Sequence, residues 1–436
     1  MQHSDNRPDH PGADHSVTPE EHRTLPPTSD TSDPPKPGSL PPEALERMRH
    51  YRHDRLVACM AARNVPSALY TDPVNIRYAT DSRNMQVYAL NHDVRSVFIA
   101  GDGYAVLFDW YVGDVYFGGL PIDEARVGMS YGFLSNGDDH LESATATWAS
   151  EIASLVRTHS PDDLRLGVDR LIPIAVAALA AEGVTVIDGQ APIYEARSIK
   201  SADEIAAMRI AMAACDDGFE RMRARTRPGA TEVEIWAGLH EANVEWEGEW
   251  INARLMTTGP RTNPWAQETS LRLVERGDII GCDSDIIGPY GYAADISRTW
   301  IASGKPTDRQ RRIYALGYEH VHRNIELFQP GASFLEIMNT NYLLPQKYQE
   351  QMFSSLSHGI GLENEWPIIR SVHKADVQGG YGGGYDGEIL PGMTISIESY
   401  IGEVGGPDGV KLEEQIHITE KGPVIFSRTP YELDWL

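Results

Sequence analysis

The stretch Ile279–Trp300, I-I-G-C-D-S-D-I-I-G-P-Y-G-Y-A-A-D-I-S-R-T-W, constrains this chain more than any other. Apolar, β-branched runs flank Gly288-Pro289-Tyr290-Gly291, a pattern that predicts two strands joined by a turn. Three carboxylates, Asp283, Asp285 and Asp295, lie within it. Strand alternation puts Asp283 and Asp285 on one face, and the turn returns Asp295 beside them. Three acids inside an apolar hairpin repel one another and resist desolvation, so they require a counter-charge. Divalent cations are the usual partners of oxygen-rich sites. Cys282 alternates to the opposite face and is expected to be a core thiol rather than a ligand.

At 436 residues the chain has room for two domains and a large core. Its formal net charge of -25 argues against nucleic acid and anionic membrane as partners, since both need clustered Lys and Arg. Three scattered cysteines, Cys59, Cys215 and Cys282, do not make a disulfide framework, and a reducing cytoplasm is the expected location. The longest apolar run, Leu171–Ala181, is interrupted by Pro173 and is far shorter than the roughly 20 residues of a membrane span. The N-terminus lacks the basic and apolar regions of a secretory signal.

Residues 1–41 are polar and proline-rich and are expected to be a disordered tail. Residues 42–196 alternate helices and short strands: a helix over Pro42–Arg63, strands at Ala68–Tyr70, Val97–Ala100 and Tyr104–Asp109, and helices at Ala144–His159 and Ile172–Glu182. That is the pattern of an α/β domain. From residue 197 onward, Ser201 with Glu204 forms a capping box for a long helix whose stripe is Ile205, Met208, Met212, Cys215, Phe219 and Met222. The order helix, P-G-A-[TS], helix occurs at Pro228–Thr231 and again at Pro330–Ser333, which points to an internally duplicated α/β domain. The overall class is α/β (α+β) with a smaller N-terminal domain.

Strands predicted at Thr394–Tyr400 and Val410–Thr419 carry Glu398 and Glu413, and His358 sits in the glycine-rich Ser357-His358-Gly359-Ile360-Gly361. One imidazole and five carboxylates (Asp283, Asp285, Asp295, His358, Glu398 and Glu413) suit two divalent cations with shared carboxylates. The loop Gly379–Tyr385, G-G-Y-G-G-G-Y, is a candidate mobile segment near that site.

Asp-x-Asp, Gly-Tyr-x-x-Asp-Ile-Ser-Arg-Thr, His-Gly-Ile-Gly-Leu and Lys-Leu-Glu-Glu-Gln together resemble the methionine aminopeptidase/creatinase superfamily, whose fold is called pita-bread. The resemblance spans Pro42 to the C-terminus. It implies that Asp295 and Glu413 bridge two metals, with Asp285 on one and His358 and Glu398 on the other. The peptidases of the superfamily also carry two further histidines. Gly259–Glu268, G-P-R-T-N-P-W-A-Q-E, contains none, and the position seven residues after His358 is Glu365. Without these imidazoles amide cleavage is disfavoured.

Asp72-Pro73-x-Asn75-Ile76-Arg77-Tyr78, Gly248-Glu249-Trp250-Ile251, Gly259-Pro260-Arg261-Thr262-Asn263-Pro264-Trp265 and Gly402-Glu403-Val404-Gly405-Gly406 are more similar to the DddP-type dimethylsulfoniopropionate lyases, a branch of this superfamily. The doubled Asp283/Asp285 is also a feature of that branch. The resemblance implies iron, with manganese, cobalt or zinc as alternatives, a homodimer, and a small zwitterionic substrate whose sulfonium sits against aromatic faces. Trp265, Tyr88, Tyr292 and Phe353 are the substrate-binding candidates. The branch uses an aspartate six residues after the metal histidine as base, and that position here is Asn364. An amide cannot accept the proton. Glu363, Glu365 or a metal-bound hydroxide is then the base, or the chain acts on another small zwitterion.

Overall fold

Proline at the first helical position starts the helix Pro42–Ala62, and Ala44, Met48, Leu56 and Met60 form its buried stripe. In this computed structural model the described residues are 36, 38–112, 117–371 and 384–436. Most of the expected tail, and residues 379–383 of the glycine-rich loop, lie outside them. The end of the tail departs from expectation. Leu40 is buried, and its N–H donates to the Tyr290 hydroxyl at 3.2 Å, so ordered chain begins ahead of Pro42.

The N-terminal half is a six-stranded sheet built from β1 (Ser67–Tyr70), β2 (Ser96–Ala100), β3 (Ala105–Asp109), β4 (Glu124–Val127), β5 (Arg165–Val168) and β6 (Thr185–Asp188), in the order β4-β3-β2-β1-β5-β6. Period-two alternation divides its side chains between two helical layers. Leu69, Phe98, Val106 and Leu166 face Trp148 and Ile152 of the helix Phe133–His159 and Leu179 of the helix Pro173–Ala181. Ala68, Tyr70, Val97, Ile99 and Leu107 share a core with the first helix. Helix Phe133–His159 starts earlier than its apolar pattern indicates and is interrupted at Gly137, where φ is +56°. Only the segment from Thr145 onward buries apolar side chains, so only that segment carried a periodic signal.

The first core continues into the helix Ala202–Arg225, through Ile205, Met208, Met212, Cys215, Phe219 and Met222. That helix begins with the expected capping box: Ser201 Oγ accepts from the Glu204 N–H at 3.2 Å, and the Glu204 carboxylate accepts from the Ser201 N–H at 2.7 Å. The internal duplication is visible in the structure. Helices Ala202–Arg225 and Glu232–Glu245 are matched by Asp308–Ile325 and Phe334–Thr340. The capping residues Thr231 and Ser333 each make an isolated antiparallel bridge, to Leu273 and Glu388.

The expected single hairpin is divided between two sheets. β7 (Trp250–Ile251), β10 (Ile286–Ile287) and β11 (Ala293–Ala294) form one, in the order β11-β10-β7. β8 (Met256–Thr258), β9 (Ile279–Asp283) and β12 (Ser297–Ile301) form the other, in the order β12-β9-β8. The break falls at Asp285, whose φ of +44° ends one strand and redirects the next. A five-stranded sheet completes this half: β13 (Ser355–Ile360), β14 (Asn364–Arg370), β15 (Thr394–Ile401), β16 (Val410–Thr419) and β17 (Gly422–Ile425), in the order β14-β13-β15-β16-β17. No helix among the described residues is long and apolar enough to cross a membrane.

Candidate metal centre

Five strands bring acids and a histidine to one point. β9 and β12 pair antiparallel with Asp283 opposite Ser297, β15 and β16 pair with Glu398 opposite Glu413, and β13 lies beside β15 with His358 opposite Ser396. Hydrogen bonds lock β12 to β16. Thr299 Oγ1 donates to the Lys411 carbonyl at 2.8 Å, and an Arg298 guanidinium N–H donates to the Glu413 carbonyl at 2.8 Å. The Asp295 N–H donates to Gln415 Oε1 at 3.0 Å.

Asp283, Asp285 and Asp295 each bring an oxygen within 4.8 Å of the others, and Asp295, His358 and Glu413 do the same, so Asp295 belongs to both groups. His358 Nε2 lies 3.6 Å from Asp295 Oδ2, 3.6 Å from Glu413 Oε1 and 3.9 Å from Glu398 Oε1. Asp283 and Asp285 converge, but through the left-handed backbone of Asp285 rather than by strand alternation. A non-glycine residue held in that region costs about 1–3 kcal/mol. Glu414 faces away, to Arg298 at 2.6 Å and Ser427 at 2.7 Å, which leaves Glu413 as the acid of that pair directed at the centre.

The electrostatics show an excess of negative charge. Burial, then the neighbouring acids, pushes Asp285 and Asp295 well above the usual carboxylate range. Burial raises Glu398 to about 8 against the pull of Lys411. Burial opposes charge on His358, but Glu413 and Glu398 outweigh it and lift the imidazole to about 9. Among the described residues, the buried Asp295 Oδ1 and Glu413 Oε1 have no hydrogen-bond partner. Orphaned carboxylate oxygens and mutually raised acids are what a site built for cations presents. His358 Nδ1 lies 3.0 Å from the Gly359 carbonyl, which places the proton there and leaves Nε2 as the ligating atom. Gly359 is required by crowding, because a Cβ there would lie 2.5 Å from the Trp366 carbonyl oxygen. The residues therefore fit a pair of divalent ions.

Lys411 is the member that sequence reasoning missed. Its fully buried Nζ lies 2.7 Å from Glu413 Oε2, 3.1 Å from Glu398 Oε2 and 3.2 Å from Asp283 Oδ2. The available signal was its place two residues before Glu413, on the same face of a strand.

The second-tier candidates separate clearly. The rings of Trp265 and Phe353 lie 5.9 and 5.2 Å from Lys411 Nζ, so both border the centre, but each faces a resident cation. Tyr88 is on the surface, 54 % exposed, stacked on His92 at 3.9 Å and next to Glu249 and Trp250 around a shallow hollow. Tyr292 is a correction. Its hydroxyl donates to Glu204 Oε1 at 2.9 Å, deep in the core shared by the first and long helices, so it cannot meet a substrate. Tyr292→Phe is expected to lower stability by about 1–3 kcal/mol, by leaving a buried carboxylate short of a donor, with turnover unchanged. Urea unfolding and a rate assay on one preparation check both parts.

Glu365 is a second correction. Its oxygens accept from Arg197 Nε at 3.0 Å and Lys200 Nζ at 2.7 Å, and these cations outweigh burial and hold its carboxyl below the usual range. It is a buried ion-pair partner, not a free base. Asn364 is exposed and lines an outer hollow with Tyr194, Trp366 and Tyr385. Tyr385 itself is anchored, its hydroxyl donating to the Ile368 carbonyl at 2.9 Å. Glu363 is half-buried, and burial raises its carboxyl. Glu363 Oε1 accepts from Asn252 Nδ2 at 2.5 Å, and the Asn252 N–H donates to the Asp285 carbonyl at 2.9 Å.

A duplicated α/β half with carboxylates and one imidazole converging at its centre defines a metal-dependent enzyme of pita-bread architecture. The chain belongs to metallopeptidase family M24, whose profile matches residues 206–420. It is 39% identical over 397 residues to a dimethylsulfoniopropionate lyase DddP from Roseobacter denitrificans, covering 89% of this chain and 87% of that protein. It is 35% identical to one from Roseovarius nubinhibens, covering 89% and 87%. A solved Xaa-Pro dipeptidase from Bacillus anthracis superimposes with a TM-score of 0.70 at 22% identity, covering 89% of this chain and 99% of that one, a likeness of fold.

Proposed function

We propose that this chain is a dinuclear-metal lyase that cleaves the C–S bond of dimethylsulfoniopropionate to dimethyl sulfide and acrylate. The observation that carries the reading is the largely buried cluster of Asp283, Asp285, Asp295, His358, Glu398 and Glu413, in a chain 39% identical to a protein described as that lyase. Asp285, Asp295 and Glu413 would hold one ion and Asp295, His358, Glu398 and Glu413 the other, with Asp283 beside the first. Iron is the metal proposed, with manganese, cobalt or zinc as alternatives. Such ions supply positive charge that binds a substrate carboxylate and stabilises charge growing on it.

The remaining chemistry belongs to the side chains. A carboxylate outside the metal cluster takes the Cα proton. The C–H electron pair becomes the Cα–Cβ double bond, and the C–S pair leaves with sulfur. Glu363 is the proton acceptor in this reading. Unlike Glu365 it makes no ion pair among the described residues, burial raises its carboxyl, and it is tied through Asn252 to the segment bearing Asp285. A homodimer working in the cytoplasm is part of the proposal. The exposed apolar side chains Met85, Val87, Tyr88 and Leu90 support an association surface.

The test is headspace measurement of dimethyl sulfide over metal-loaded protein. Glu363→Gln is expected to lose about 10²–10⁴-fold in rate with metal content unchanged. An inert parent that Asn364→Asp brings to life would overturn the substrate and leave a metal enzyme acting on a different small zwitterion. Product analysis with compatible-solute zwitterions and Xaa-Pro dipeptides would then identify it.

A further inference from the structure

Lys411 is surrounded by more acceptors than its three protons can serve. Besides the three carboxylate oxygens it meets Ser297 Oγ at 2.9 Å, and that hydroxyl lies 2.8 Å from both Asp283 Oδ1 and Glu413 Oε2. The ammonium and the hydroxyl therefore occupy one side of the cluster. The oxygens Asp295 Oδ1 and Glu413 Oε1, without hydrogen-bond partners among the described residues, belong to acids that also face His358. Ionised around bound cations, the carboxylates of Asp283, Asp285, Asp295, Glu398 and Glu413 would carry five negative charges between them. A ligating imidazole is neutral. With Lys411 cancelling one charge, four remain, which is the charge of two divalent ions. Without it the centre would match a divalent and a trivalent ion together.

We infer that Lys411 is a resident counter-cation and positioning residue that sets this centre to accept two divalent ions and to reject a trivalent one. It offsets the extra carboxylate introduced by the Asp283/Asp285 pair. It also holds one oxygen each of Asp283, Glu398 and Glu413, which directs these acids towards the ions. The inference rests on the metal reading of the cluster and not on the identity of the substrate.

The experiment is competition between manganese(II) and terbium(III) on the full chain, read by elemental analysis and by terbium luminescence sensitised through Trp265, whose ring lies 5.9 Å from Lys411 Nζ. Wild type is expected to hold two manganese ions per chain and to resist terbium. Lys411→Met, which keeps length and removes charge, is expected to shift the preference towards terbium by at least about tenfold, since one unit of charge a few ångströms away is altered. Lys411→Arg should behave as wild type. Asp283→Asn combined with Lys411→Met returns the charge to its original value and should restore the manganese preference. If Lys411→Met fails to fold, Asp283→Asn alone carries the test, because its more positive centre should bind fewer or weaker manganese ions. A preference in Lys411→Met within about twofold of wild type, or terbium uptake by wild type equal to that of manganese, overturns the inference. Wild type that binds neither ion overturns the metal reading itself.

Discussion

Asp295→Asn is expected to leave a folded protein with little bound metal and a rate at least about 10³-fold below the parent, the equivalent of about 4 kcal/mol of lost stabilisation. Asp295 belongs to both groups of converging ligand atoms, so an amide there removes charge and an oxygen donor from each. The substitution barely changes volume, and the Asp295 N–H keeps its bond to Gln415. The same variant should be more stable than the parent when both are stripped with a chelator. In the metal-free protein Asp295 is buried beside Glu413, Asp285 and Asp283, and the repulsion among them opposes folding. Melting curves with and without chelator, together with elemental analysis, check both signs. Full metal content and turnover in Asp295→Asn would remove this residue from the centre.

Glu365→Ala is expected to reduce stability by about 3–5 kcal/mol, because it strands Arg197 and Lys200 as buried, unpaired cations. The pair also joins the two halves of the chain, since Arg197 donates to Asn75 Oδ1 at 2.9 Å and the Leu362 N–H donates to Glu365 Oε1 at 3.1 Å. Loss of the glutamate should therefore loosen the turn that carries Glu363. The sign with pH follows from the depressed carboxyl of Glu365. Its contribution is complete above the unfolded value of about 4.3 and declines as pH falls through the lower folded value. Urea unfolding at neutral and acid pH should show the parent and the variant converging in stability as acidity rises. Equal stability at neutral pH would show that the ion pairs contribute nothing net.

The charge that makes Glu365 structural was not legible from its place seven residues after His358. Its partners lie in the segment Arg197–Lys200, more than 160 residues away, and only the fold sets them against it. Tyr292 misled for a related reason. It lies in the turn region of the aspartate stretch, but the chain switches sheets at Asp285, and the hydroxyl ends in the core beside Glu204. The role of Lys411 depends on three carboxylates brought to it from three strands, of which only Glu413 lies near it along the chain.

Local sequence was enough for the helices and their starts. The capping boxes at Ser201 and Thr231, the apolar stripe from Ile205 to Met222 and the two P-G-A-[TS] junctions act within a few residues of themselves. It also singled out the acids and the histidine that the structure gathers around Asp295, although Asp283 and Asp285 meet through the turn of the backbone at Asp285 and not through strand alternation. Which oxygen faces which cation, and whether a glutamate is free or already neutralised, depended on contacts between segments distant along the chain. Such contacts exist only once β9, β12, β13, β15 and β16 have converged.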